Sequence, residues 1–93
     1  MKVNFKQFPM YMGIRKTERV AVDISESLAN LIYMNIPGIA AHVLAEKIYA
    51  AEGELELTDA ETGIISGLKE GLTPVFIDSW DTYVKEQTEK KGE

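Results

Sequence analysis

The sequence predicts an α+β domain: a small three-stranded sheet of antiparallel type, with four helices packed on one face, in the order ββααβαα. Three observations predict it. Apolar residues alternate with polar ones, the period of a half-buried strand, at Val3 and Phe5, at Val20, Val22 and Ile24, and at Leu55 and Leu57. Elsewhere the apolar spacing changes to three and four residues, the period of a helix facing a core. Pro37-Gly38, Gly53 and Thr73-Pro74 cut and punctuate those helical stretches. A chain of 93 residues has room for one small domain. At 45% hydrophobic and 27% charged it has a globular composition, which sets aside wholesale disorder.

Val3 and Phe5 alternate with Lys2, Asn4 and Lys6 in the first strand. Pro9 ends or bulges it, because proline has no N–H to give a ladder. Met10, Tyr11 and Met12 continue it, and Gly13 opens a connection through Arg15, Lys16 and Thr17. Val20, Val22 and Ile24 form the returning strand, so the two make a hairpin with basic edges. Asp23 and Glu26 have the spacing of a capping box, with Ser25 as a competing cap. Leu28, Leu31, Ile32 and Asn35 then carry the first helix until Pro37-Gly38 breaks it. Ile39, Val43, Leu44, Ile48 and Ala51 mark an alanine-rich second helix that ends at Gly53.

Glu54-Leu55-Glu56-Leu57 alternates as a third strand. Paired with the hairpin, it would set Glu54 and Glu56 on the sheet face of Lys2 and Lys6, each such pair worth about 0.2–1 kcal/mol. Thr58 and Glu61 form a second capping box, with Asp59 adding negative charge at the helix start. The third helix runs to about Leu72 on Ile64, Ile65 and Leu68. Thr73-Pro74 supplies the N-cap and first residue of the fourth, which is carried by Phe76, Ile77, Trp80, Tyr83 and Val84. Residues 1–86 are expected to form the single domain, and 87–93 a frayed, charged C-terminal tail.

The formal net charge of −5 hides a polarity along the chain. Through Val22 there are five basic residues (Lys2, Lys6, Arg15, Lys16, Arg19) against one acid, Glu18; beyond it, five basic residues face fourteen acids. That polarity permits a basic hairpin that meets nucleic acid, or one that meets an acidic face of another copy. No apolar run reaches the roughly 18 residues of a membrane span and none opens the sequence as a secretory signal would, so a cytoplasmic location is expected.

With no cysteine, disulfides, thiolate zinc sites, iron–sulfur clusters and cysteine nucleophiles are excluded. His42 is the sole histidine, with Glu46 one turn on. A metal site wants three or four ligands, so this pair reads as a surface histidine with an i,i+4 partner. Asp78 and Asp81, near Glu86, read as a solvated helix face rather than a catalytic pair. No phosphate loop, nucleophile elbow, zincin helix or calcium loop is present. No catalytic residue, metal or cofactor is therefore expected.

Three features point to contacts instead. Gly63, Gly67 and Gly71 fall at four-residue intervals along the third helix, where each glycine costs about 0.8–1 kcal/mol relative to alanine. Close approach of another helix would compensate, either within the chain or from a partner or second copy. Apolar and aromatic residues also exceed what so small a domain hides: Met10, Tyr11, Met12, Ile14, Tyr33, Met34, Ile36 and Tyr49 lie off the clearest core stripes. Arg15, Lys16 and Arg19 form the basic cluster of the hairpin loop, which could enter a nucleic-acid groove, though no stacking motif accompanies it.

Gly38-Ile39-Ala40-Ala41-His42, Lys47-Ile48-Tyr49, Gly53-Glu54-Leu55-Glu56-Leu57 and Thr73-Pro74 together resemble small uncharacterised proteins of prophages and other mobile elements of gut bacteria. The resemblance covers most of the chain, and its motifs are structural punctuation that assigns no functional residue. It implies a bacterial cytoplasmic setting and a role in an element-encoded complex. The expected function is a non-enzymatic protein–protein interaction or assembly module, acting through the hairpin or the glycine-lined groove. The alternatives are a small nucleic-acid-binding regulator using the basic hairpin, and an acidic inhibitor or nucleic-acid mimic using Asp78 and Asp81. The expected partner is a protein or a second copy of the chain, with nucleic acid second and no membrane.

Overall fold

The computed structural model describes residues 1–91 and is a mixed α+β fold. Its elements are β1 (Lys2–Val3), β2 (Phe8–Tyr11), β3 (Arg19–Val22), α1 (Ser25–Asn35), α2 (Ile39–Ala50), β4 (Leu55–Glu56), α3 (Asp59–Leu68) and α4 (Pro74–Lys91). Short 3-10 turns lie at Phe5–Gln7 and Lys69–Gly71. Among the described residues no helix is long and apolar enough to cross a membrane.

The expected three-stranded sheet is instead two antiparallel ladders, β1 with β4 and β2 with β3. Asn4 is the reason. Its side-chain carbonyl accepts from Lys6 N–H at 3.0 Å, and its backbone carbonyl accepts from Gln7 N–H at 3.2 Å. An asparagine that bonds the backbone just ahead offers the chain a turn in place of a ladder. The continuous first strand therefore breaks into β1 and β2, and the helices do not cover one face of a common sheet. Val3 and Phe5 are both buried all the same, Val3 from a strand and Phe5 from the turn. In the β1–β4 ladder Lys2 lies opposite Glu56, the opposite-charge pairing expected for that strand. Ile24 N–H donates to Phe5 C=O at 2.8 Å and ties the end of the hairpin to the turn.

The β2–β3 register sets Phe8 opposite Val22, Pro9 opposite Ala21, Met10 opposite Val20 and Tyr11 opposite Arg19. Met12 N–H donates to Glu18 C=O at 3.0 Å, which fixes the phase of the ladder. Bonded and non-bonded pairs alternate, so Met10–Val20 and Phe8–Val22 are bonded pairs while Pro9 and Tyr11 turn their backbone polar groups away from β3. Pro9 thus loses no ladder bond, which is why a proline is tolerated inside β2. Tyr11 N–H finds Ser79 Oγ on α4 at 3.0 Å, and the same hydroxyl donates to Val75 C=O at 2.7 Å. By the same alternation Arg19 and Ala21 of β3 direct their N–H and C=O groups outward, on the edge away from β2.

The core gathers around Trp80. Its ring stacks against Phe5, Phe8 and Phe76 with centroids 6.2, 6.1 and 6.1 Å away, and Tyr83 lies 5.3 Å from Phe8. Trp80 Nε1 donates to Ser66 Oγ at 3.0 Å, which joins α4 to α3 and satisfies the indole. Leu28, Ile32, Leu44, Ile48, Leu57 and Ile65 complete the core from the other elements.

The helix ends follow their caps. Thr58 Oγ1 accepts from Glu61 N–H at 3.1 Å and the Glu61 carboxylate accepts from Thr58 N–H at 2.9 Å, the capping box the sequence predicts. The box expected at Asp23 and Glu26 does not form. Asp23 Oδ1 accepts instead from Ser25 N–H at 3.0 Å and from Ser25 Oγ at 2.7 Å, because Ile24 intervenes between it and the helix. Those two bonds, led by the hydroxyl, hold the Asp23 carboxyl below its ordinary pKa. Gly38 joins α1 to α2 at a φ of 104°, a conformation that favours glycine. α3 ends at Leu68 rather than near Leu72, and the chain then passes through its 3-10 turn into α4. α4 continues to Lys91, so residues 87–91 of the expected tail are helical, while 92–93 lie outside the described residues.

Ser79→Ala removes the acceptor of the Tyr11 amide at a fully buried position, and urea denaturation should show a loss of about 1–3 kcal/mol. Unchanged stability would mean the amide has another acceptor. Burial pushes the Glu61 carboxyl up, but Thr58 N–H and the Lys47 ammonium, 2.9 Å away, outweigh it and hold the pKa below its ordinary value. A depressed carboxylate contributes stability above its unfolded pKa of about 4.3 and loses it as the pH falls through the lowered value. Glu61→Gln should therefore flatten the decline in stability between about pH 5 and pH 3; a decline as steep as the wild type's would place the acid sensitivity elsewhere.

Candidate functional site

The loop between β2 and β3 carries Arg15 and Lys16 of the basic cluster and β3 opens on Arg19; Lys16 is in a left-handed conformation (φ 55°), its N–H donating to Gly13 C=O at 3.0 Å. The loop lies along the acidic fourth helix of its own chain. Lys16 Nζ is 3.3 Å from Asp78 Oδ2. Arg19 holds Glu86 through both terminal nitrogens, at 2.8 and 3.0 Å, with its guanidinium carbon 5.9 Å from the centre of the Tyr11 ring. Asp81 in turn receives Lys69 at 2.6 Å. The charge polarity of the sequence thus closes on itself, and the carboxylates Asp78 and Asp81 are both ion-paired. Arg15 remains exposed at the tip of the loop.

The singled-out apolar residues of the hairpin divide. Met10 is half-buried and packs against the core. Tyr11 is half-buried too, its hydroxyl 2.9 Å from Thr82 Oγ1 on α4. Both serve the attachment of β2. Met12 and Ile14 point to solvent, Ile14 at 95% exposure. Val20 and Val22 of β3, which strand alternation alone places on the core side, are partly exposed as well. They share a face with Met10 and Phe8, but α4 lies along β2, and β3 remains at the margin of the core.

Among the described residues nothing packs closely over the glycine stripe. Gly63, Gly67 and Gly71 are all exposed, and a Cβ added at any of them would meet no atom within 4 Å. Gly71 belongs to the 3-10 turn after α3, so the stripe reduces to two positions in the helix. An added Cβ at these positions finds no neighbour, which corrects the within-chain half of the expectation, packing against another helix of the same chain.

A second exposed apolar set lies on α1 and α2: Tyr33, Met34, Ile39, Val43 and Tyr49. Tyr33 and Tyr49 line a groove of about 320 Å³ between the two helices, together with Glu26, Ala29, Asn30, Ala45 and Glu46. The His42 ring sits 5.9 Å from that of Tyr33, and its Nε2 is 3.8 Å from Glu46 Oε1 at the helix surface. Among the described residues no three histidine, aspartate or glutamate side chains gather as metal ligands would. Ile36 is half-buried against the core. Ile39 and Val43 fall at core spacing in the sequence, yet Ala41, Leu44, Ala45 and Ile48 form the buried face of α2. An alanine-rich helix with apolar residues nearly all round gives no sequence signal of which side is inward.

Because Gly63 has open space, Gly63→Ala should stabilise the protein by about 0.5–1 kcal/mol in urea denaturation. Destabilisation would show that a methyl group at Gly63 meets an obstacle within the chain, against the open space found there. No family model, curated protein or solved structure matches the chain.

Proposed function

We propose that the chain is a non-enzymatic protein–protein interaction module, and that it works in an assembly of the element-encoded kind its sequence resemblance implies. One observation carries the proposal. The large apolar side chains exposed among the described residues fall entirely on the hairpin (Met12, Ile14, Val20, Val22) and on α1–α2 (Tyr33, Met34, Ile39, Val43, Tyr49). Among the described residues none falls on α3 or α4, whose exposed positions are Asp59, Ala60, Gly63 and Gly67 on the one and Pro74, Asp81, Lys85, Thr88 and Glu89 on the other. Scattered hydrophobes are ordinary on any surface, but segregation into two sets marks faces suited to partners. Tyrosine and methionine, prominent in both sequence and surface here, are enriched in such faces.

The nucleic-acid and mimic readings have less support from the same geometry. Lys16 and Arg19 are already paired with carboxylates of α4, so the positive charge they offer a phosphate backbone is partly neutralised within the chain. The mimic reading needs Asp78 and Asp81, which Lys16 and Lys69 neutralise. A titration with duplex DNA and single-stranded RNA at low salt separates these readings: no shift is expected. Binding that weakens steeply with added salt would overturn the proposal in favour of a nucleic-acid regulator. Affinity capture with the wild type beside an Ile39→Ser, Tyr49→Ser double variant tests the α1–α2 face, and a partner retained by the first and lost by the second is the expected result. Equal capture by both would remove that face from the proposal.

A further inference from the structure

We propose that the outer edge of β3 pairs with β3 of a second copy of this chain, joining the two hairpins into one four-stranded antiparallel sheet about a two-fold axis at Ala21. This rests on the interaction-module reading and names one of its partners. Residues 19–23 are all exposed, and among the described residues β3 pairs only with β2. The other edge of the hairpin is closed, since Ser79 takes the Tyr11 amide. One edge is therefore covered by α4, and the other presents the backbone of Arg19 and Ala21 as a template for a further strand.

The phase of the ladder restricts how a second copy can pair. Odd-numbered residues of β3 carry the outward N–H and C=O groups, so bonded pairs across the new interface must join odd residues to odd residues. A two-fold axis at Ala21 satisfies this, with Ala21 opposite its own equivalent. The same register sets Arg19 opposite Asp23 of the second copy, and Val20 opposite Val22 of the second copy. Neighbouring registers do worse. An axis at Arg19 opposes two like charges, an axis at Val20 places Arg19 against alanine, and an axis at Val22 leaves Arg19 with no acid opposite it. Opposite charges and β-branched pairs facing each other favour antiparallel pairing. Arg19 can serve both acids, because its guanidinium has five N–H donors and only two bonds are made to Glu86. Val20 and Val22, whose exposure α4 leaves unrelieved, gain cross-strand partners of their own kind. So short an edge gives a small interface, and the dimer is accordingly weak and dependent on concentration.

Size exclusion with light scattering, over a range of concentrations, reads the dimer directly, and the mass is expected to rise from one chain toward two. A mass of one chain at every concentration would overturn the dimer, while leaving the interaction-module reading to its own test. Ala21→Pro removes an outward N–H that the β2 ladder does not use, so it should abolish the dimer with an unchanged circular dichroism spectrum. If that variant proves unfolded, Asp23→Asn decides. It keeps the acceptor for Ser25 but removes the charge, and should weaken the dimer about two- to fivefold while reducing its sensitivity to salt. Dimerisation as tight as the wild type's in a folded Ala21→Pro or in Asp23→Asn would overturn the edge pairing. Loss of the dimer in the Ile39→Ser, Tyr49→Ser variant would overturn it as well, by moving the contact to α1–α2.

Discussion

The attachment of α4 to β2 is the constraint on which the rest of the molecule depends. A two-stranded hairpin has too little buried surface to persist alone in water. Here it is held by a helix that closes one edge through Ser79, fills one face with Phe76 and Trp80, and grips the other through Thr82 and Glu86. Trp80 also reaches Phe5 and Ser66, so the N-terminal turn and α3 are fixed by the same side chain. Tyr83 extends the grip to the first strand, its hydroxyl donating to Lys2 C=O. Burial raises the pKa of that phenol, with Glu54 and Glu86 adding to the effect, so it stays a donor throughout the neutral range.

The elements were legible in the sequence where one local pattern agreed with one environment. The Thr58–Glu61 box, the Pro37-Gly38 break and the apolar stripe of α4 need only neighbouring residues to be understood. Sheet topology was not legible in this way. Val3-Asn4-Phe5 alternates as a strand should, but the competing asparagine turn decides the path, and both routes bury the same two side chains. The exposure of Val20 and Val22 is likewise invisible locally. It follows from where a helix more than fifty residues later comes to lie.

Of the candidate site, the residue types were legible and their partners were not. The sequence displays a basic hairpin and an acidic C-terminal half, which invites a partner for each. The fold brings the two together, so that Lys16 and Arg19 find Asp78 and Glu86 within the chain. Charge asymmetry along a sequence therefore measures what a surface offers only after internal pairing has been taken into account. The glycines of α3 make the converse point. A pattern that implies close packing faces open space, and among the described residues no close neighbour offsets the propensity cost of those glycines.

The order in which these contacts are laid along the chain has a consequence for its synthesis. The groups that hold the hairpin come from residues 67 to 71 positions downstream, and the tie from Tyr83 to Lys2 spans 81. While the chain grows from its N-terminus, β2 and β3 leave the ribosome well before the helix that covers them. In that interval both edges of the hairpin are bare, and Phe8 has neither Phe76 nor Trp80 to shield it. Local turns and the α1–α2 pair can form early, but the N-terminal third cannot be completed until α4 has emerged. Folding of this chain is thus gated from its far end, and the nascent hairpin is the segment most exposed to mispairing before that end arrives.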